Sequence, residues 1–268
     1  MNEAHEINKR WWNEVTPVHV GSDFYGVDGF LAGDNKLGRI ERQALGEVSG
    51  KRLLHLQCHF GMDTLCWARL GAETVGVDFS EEAVSAARDL ADKAGLGERA
   101  RFYEADVLEV GKVEDGNFDL IFTSFGTIVW LSDLKKWGAT IAANLANDGL
   151  FYFLDSHPTY MMFDETSSAA RQAYNYFHDA VPNEDEANRP DYADETYLVT
   201  SEARSFQWPL QDIFGALENQ GLTVFEVREY PFSAWRAFPD MEPGDDGYWY
   251  RKETGFNIPL LLGFKARW

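Results

Sequence analysis

From Leu53 onward the chain alternates between two rhythms. Short apolar runs that end in a polar residue are followed by stretches with an apolar residue every three to four positions. Residues 53–56 predict a first strand, 62–70 a helix closed by Gly71, and 74–77 a second strand. Ser80 predicts the N-cap of a helix running to about Lys93, with Glu81 and Glu82 suited to its positive end. Residues 100–104 and 118–123 predict strands three and four. A helix over 134–145, stopped by Asn147-Asp148-Gly149, leads to a fifth strand over 150–154. After an interruption the rhythm returns. A helix over 210–219 stops at Gly221, a sixth strand spans 223–230, and a last strand over 260–267 enters antiparallel after a long connection.

Strands alternating with helices specify an α/β fold: a Rossmann-like, seven-stranded, mostly parallel sheet with helices on both faces. Residues 1–50 read as an N-terminal extension or cap. Within it WWNEVTPVHVGSDFYG is aromatic and irregular, and IERQALGEV forms a short helix. Residues 51–268 form the main domain. Regularity fails after His157, so residues 158–205 read as a lid-like insertion and 231–256 as a second irregular aromatic segment.

A chain of 268 residues that is 45% hydrophobic can bury a substantial core in one domain with an insertion. No window resembles a membrane span, the first residues lack the apolar segment of a signal peptide, and two cysteines do not make a secreted disulfide scaffold. The cytosol is the expected location. A net charge of -20 repels phosphate backbones and excludes nucleic acid as the expected partner. A small molecule is the expected partner, and a protein target stays open. Oligomeric state is open at this level.

The first βα connection carries the candidate chemistry. Its turn, Gln57-Cys58-His59-Phe60-Gly61, is poor in glycine. Backbone amides at the start of the following helix can hold a polar or anionic ligand group, and Gly61 permits close approach. His59 stands where positive φ is common, a state more often tolerated for function. A packed corner is the competing reading. Asp78 ends an apolar strand, where a carboxylate accepts both hydroxyls of a ribose or caps the next helix. Phe79 can lie against a nucleobase. Asp106 can accept from an exocyclic adenine amine, and the Val107 amide can meet a ring nitrogen. Ser124 ends the fourth strand at the carboxyl edge, where ligands bind in such sheets.

This order of turn, acid, acid and strand resembles the class I S-adenosylmethionine-dependent methyltransferases. LHLQCHFGMDTL resembles a bacterial subgroup with an altered first motif, as do IERQALGEVSGKRLLHL before it and TSFGTIVWLSDL after it. The resemblance spans about residues 11–155, with a looser match at PLLLGFKAR. His55 stands where the family usually has an acid, and Gln57 and His59 replace its first two glycines. The resemblance implies adenine near Asp106 and Val107, ribose on Asp78, and the methionine part near His59, Gly61 and Ser124. It implies S-adenosyl-L-methionine as cofactor and S-adenosyl-L-homocysteine as product. Trp11, Trp12 and Tyr25 either fold over the cofactor, with Tyr25 bonding the methionine carboxylate, or anchor the extension to the core.

Methyl transfer is an in-line displacement, needing a base only if the attacking atom would otherwise keep its proton. Asp155 and His157 follow the fifth strand. His157 is either that base or a structural tie for the insertion. Trp130 shapes an acceptor pocket, and His178, Tyr192 and Tyr197 can reach it from the insertion. The mix of tyrosines and acids favours an amine or another polar organic acceptor. No metal-ligand spacing is present: Cys58 beside His59 is not a structural zinc pattern. An NAD-dependent oxidoreductase expects GxGxxG, which QCHFGM is not. A non-catalytic cofactor-binding protein remains the third reading.

Overall fold

The computed structural model describes residues 2–169, 171–252 and 257–268. Strands β1 (Arg52–Leu56), β2 (Glu73–Asp78), β3 (Ala100–Glu104), β4 (Phe118–Thr123), β5 (Leu145–Ser156), β6 (Thr223–Tyr230) and β7 (Leu261–Arg267) build one sheet. Their order is β3-β2-β1-β4-β5-β7-β6. The first five are parallel, and β7 runs antiparallel to both β5 and β6. The expected seven-stranded, mostly parallel α/β sheet is therefore present.

Period-two alternation splits the core between the faces. Leu54, Leu56, Val75 and Val77 pack with Trp137 and Ile141 of α6 (Leu134–Asn144) and Ile213 and Leu217 of α7 (Leu210–Glu218). Leu53 faces the other way, with Trp67 of α4 (Met62–Arg69), Val84 and Leu90 of α5 (Glu81–Lys93), and Ile40 of α3 (Arg39–Leu45). The Ser80 hydroxyl accepts from the Ala83 N–H, so the N-cap expected for α5 is in place.

Three local expectations are corrected. The aromatic extension is not irregular: α1 runs unbroken over Glu3–Gly21, with Pro17 inside it, and a short α2 (Val27–Leu31) follows. Its buried stripe, His5, Asn8, Trp11, Val15 and His19, has helical spacing. Three of the five are polar, so the stripe is disguised in a hydropathy pattern. Second, β5 begins at Leu145, not 150. Leu145 pairs with Phe118 and Leu150 with Leu120, and the Asn147-Asp148-Gly149 stop is an irregularity within the strand. Third, the late aromatic segment holds a small antiparallel sheet of Phe232–Ser233, Trp249–Arg251 and Met241–Pro243. Residues 253–256 of that segment lie outside the described residues. The insertion contains two short ladders, Asn183–Asp185 with Ala203–Ser205 and Arg189–Pro190 with Leu198–Val199. Among the described residues, no helix is long and apolar enough to cross a membrane.

Candidate functional site

The parallel strands all end at one edge, and α1 lies along that edge. Its contacts step across the sheet. His5 Nδ1 meets Asp106 Oδ2 beyond β3 at 2.7 Å, Asn13 Oδ1 accepts from the Ser80 hydroxyl beyond β2, and His19 Nδ1 meets His59 Nε2 beyond β1 at 2.9 Å. Lys9 pairs with Glu104 and Glu81 on the same line. The insertion clamps the outer side of α1. Asn8 exchanges hydrogen bonds with the Arg204 backbone, Glu14 accepts from the Thr200 and Ser201 amides, and His19 Nε2 meets Asp191 Oδ2.

Beneath this cover lies the first turn. Gln57 (φ 56), His59 (φ 52) and Gly61 (φ 75) all adopt the left-handed region. Two of the three are not glycine, so the backbone strain the sequence pointed to is present. Gly61 is needed for a packing reason: a Cβ there would fall 2.5 Å from the Phe102 ring and 2.9 Å from Ala87 Cβ. Asp78, at the end of β2, turns back to this corner. Its Oδ2 accepts from the His59 N–H and its Oδ1 from the Ser80 N–H. Burial raises the Asp78 carboxyl to about 6, although the Ser80 and His59 amides pull the other way.

A second polar knot forms behind the corner. His55 Nδ1 lies 2.8 Å from Thr64 Oγ1 and its Nε2 3.2 Å from Ser124 Oγ, which also donates to Asp63 Oδ2. Burial lowers His55 to about 3, so the ring is neutral. Burial and nearby Glu41 raise Asp63 to about 7, against the Ser124 bond. Sequence reading missed Asp63. The available signal was an acid in the first turn of α4, just past the motif corner.

The expected site residues do not all converge. Tyr25 joins the corner: it lies edge-on to Phe60, stacks with His19, and shares a hydrogen bond with the Tyr192 hydroxyl. Phe79 lies edge-on to His5, and the Val107 carbonyl accepts from Thr140. Burial pushes the Asp106 carboxyl up, but the His5 bond outweighs it and holds the group below the usual range. Trp130 stacks on Trp11, and the Tyr197 hydroxyl donates to Glu14. Asp155 is wholly buried and holds the loop after β4, accepting from the Gly126, Thr127, Ile128 and Ser156 amides and the Thr127 hydroxyl.

His157 and His178 stand apart from the corner. His157 Nδ1 accepts from the Thr159 N–H and its Nε2 lies 2.9 Å from Glu229 on β6, so its longer-range contact is with the edge strand and not with the insertion. Burial lowers its pKa, with Glu229 opposing. His178 stacks on Trp208 at 3.7 Å and meets the Gln207 carbonyl. The histidines gathered at the corner are His19 and His59.

A buried polar atom at the corner has no hydrogen-bond partner among the described residues. Gln57 Nε2 donates to the Thr127 carbonyl, but its Oε1 is buried without a hydrogen bond. A buried acceptor left unpaired costs about 1–3 kcal/mol.

Residues 53–149 match the family described as methyltransferase domain. The structure is similar to that of the CcbJ methyltransferase from Streptomyces caelestis, with a TM-score of 0.63 at 14% identity, covering 96% of this chain and 97% of that one. It is also similar to an S-adenosylmethionine dependent methyltransferase from Mesorhizobium loti, with a TM-score of 0.60 at 21% identity, covering 89% and 100%. The fold is that of the class I methyltransferases. A ubiquinone biosynthesis O-methyltransferase from Psychrobacter arcticus is 25% identical over 133 residues, which are 45% of this chain and 50% of that protein. The chain spans at most half the length of the curated relatives it matches.

Proposed function

We propose that the protein transfers the methyl group of S-adenosylmethionine to a small organic acceptor, in the cytosol. The observation that carries this reading is Asp78: a buried carboxylate at the end of β2, locked by one backbone N–H on each oxygen against a left-handed first turn. Each oxygen keeps a further lone pair, so the group can still receive two ribose hydroxyls. The unpaired Gln57 Oε1 fits the ammonium of a methionine moiety. Asp63, bonded through Ser124 to the neighbourhood of His55, supplies the carboxylate that β1 itself lacks. Asp106 can serve an adenine amine once His5 releases it.

Bound there, the sulfonium supplies an electrophilic methyl carbon. The chain's own residues do the rest. Asp78 and Gln57 hold the two ends, while α1 and the insertion exclude water and align the acceptor. Aromatic walls from Trp12, Tyr25 and Trp130 suit a flat organic acceptor, and the net charge of -20 disfavours RNA.

A melting experiment tests this reading. S-adenosylhomocysteine should raise the melting temperature and NADH should not. At a hundredfold excess over Kd the linkage is about 2.7 kcal/mol. Asp78→Ala should remove most of that shift while the ligand-free protein still melts cooperatively. No shift with either sulfur nucleoside overturns the proposal.

A further inference from the structure

Three separate elements each send one polar side chain to a single line. Asp191 comes from the insertion, His19 from the last turn of α1, and His59 from the turn after β1. Asp191 Oδ1 accepts the Ala193 and Asp194 amides, and Oδ2 lies 3.0 Å from His19 Nε2. His19 Nδ1 lies 2.9 Å from His59 Nε2. His19 is fully buried and Asp191 is 2% exposed. Polar groups sunk among Trp11, Trp12, Tyr25 and Tyr192 carry a desolvation cost that packing alone would avoid with apolar residues.

The chain has a direction. With both its oxygens accepting, Asp191 fixes the proton of His19 on Nε2. His19 Nδ1 is then an acceptor, and His59 must donate to it from Nε2. The Tyr192 hydroxyl also approaches His19 Nδ1, but at 3.5 Å, well beyond the 2.9 Å contact with His59. His59 Nδ1 is left with a bare lone pair, and among the described residues it has no hydrogen-bond partner. His59 is the partly exposed member of the line.

We infer that Asp191, His19 and His59 form a proton relay whose outer end, His59 Nδ1, deprotonates a hydroxyl on the methyl acceptor. This rests on the proposed methyl transfer and names its acceptor class as a phenol or alcohol, whose oxygen keeps its proton at neutral pH. The O–H bond breaks, its proton passes to His59 Nδ1, and its electron pair forms the new bond to the methyl carbon. The carbon–sulfur pair returns to sulfur. The proton on His59 Nε2 moves to His19 Nδ1, where the resulting imidazolium faces Asp191. His59 touches the acceptor; His19 and Asp191 are positioning residues. Burial, reinforced by His19, lowers the His59 pKa well below its usual value, so the resting ring is neutral and its gain of a proton depends on passing the Nε2 proton on to His19.

Histidine tautomers test this directly, in the full chain labelled with 15N-histidine, without any acceptor. Long-range 15N–1H correlations should show His59 and His19 both protonated at Nε2. In Asp191→Asn the amide can donate to His19 Nε2, so both tautomers should switch to Nδ1–H, removing the lone pair two rings away. Asp191→Glu should restore the parent pattern. A wild-type His59 protonated at Nδ1 overturns the relay, as does a folded Asp191→Asn variant whose His59 tautomer is unchanged. If Asp191→Asn does not fold, the wild-type tautomer decides alone. The adenosylhomocysteine melting shift on the same samples reports cofactor binding separately, so failure of the relay is distinguishable from failure of the methyltransferase reading.

Discussion

His5 Nδ1 stands 2.7 Å from Asp106 Oδ2, so the first residue of α1's buried line occupies the carboxylate proposed for adenine. The same ring reaches Ser132 through Nε2, which bridges the end of β3 to the loop before α6. The helix is thus latched across the edge of the sheet at its N-terminal end, as His19 latches it at the other.

The latch predicts a trade between stability and affinity. His5→Ala removes a charge-assisted bond worth about 1.5–3 kcal/mol and should lower the melting temperature of the ligand-free protein. It also frees Asp106, so calorimetry should find S-adenosylhomocysteine binding several-fold tighter than to the parent. Because Asp106 is held below the ordinary carboxylate range, its contribution is full above that range and lost as pH falls through its own pKa. In His5→Ala that acid-linked loss should shrink, because the Asp106 pKa moves back towards its unfolded value. Weaker nucleoside binding in this variant counts against the latch.

Asp155 predicts a large structural effect. Four backbone amides and one hydroxyl converge on it, all buried or nearly so. Asp155→Ala would orphan several donors at once, each costing about 1–3 kcal/mol. Chemical denaturation should register a loss of at least ~3 kcal/mol, with the loop after β4 losing amide protection first. Near-parent stability together with loss of catalysis alone would instead make Asp155 a reacting group.

Asp63 predicts a pH signature of the opposite sign to Asp106. Its pKa is raised to about 7 in the folded chain, from an ordinary unfolded value near 4. The folded state therefore binds the extra proton. Stability is greatest below the unfolded pKa and declines as pH rises to about 7, by roughly 4 kcal/mol. Asp63→Asn should flatten that decline in urea titrations run between pH 4.5 and 8. An unchanged slope would mean that the carboxyl ionises normally.

Gly61→Ala should be destabilising for two reasons that act together. The position has φ 75, and a Cβ would strike the Phe102 ring and Ala87. Strain and overpacking together amount to about 2–4 kcal/mol. Pairing the change with Phe102→Leu should recover part of the loss. Full recovery by Phe102→Leu would make the clash, rather than the dihedral, the controlling term.

Sequence alone determined the sheet. The apolar runs of β1 to β5 and the 3.6-residue stripes of α4 to α7 are local patterns, and local burial periodicity fixes element type and face. It also fixed the strained corner at His59 and the strand-end carboxylates Asp78 and Asp106, because those positions follow from where strands stop. It did not determine what those groups touch. The N-terminal helix was hidden because its inward stripe is polar: His5, Asn8 and His19 are buried only by finding partners in other segments. The role of His157 was open in the sequence, and contact with Glu229 on a distant strand turns it to the sheet's other edge. The line from Asp191 through His19 to His59 joins residues 172 and 40 positions apart. Hydrogen bonds across such separations carry no periodic signature. They exist only once chain closure has brought the helix and the insertion together over the edge of the sheet.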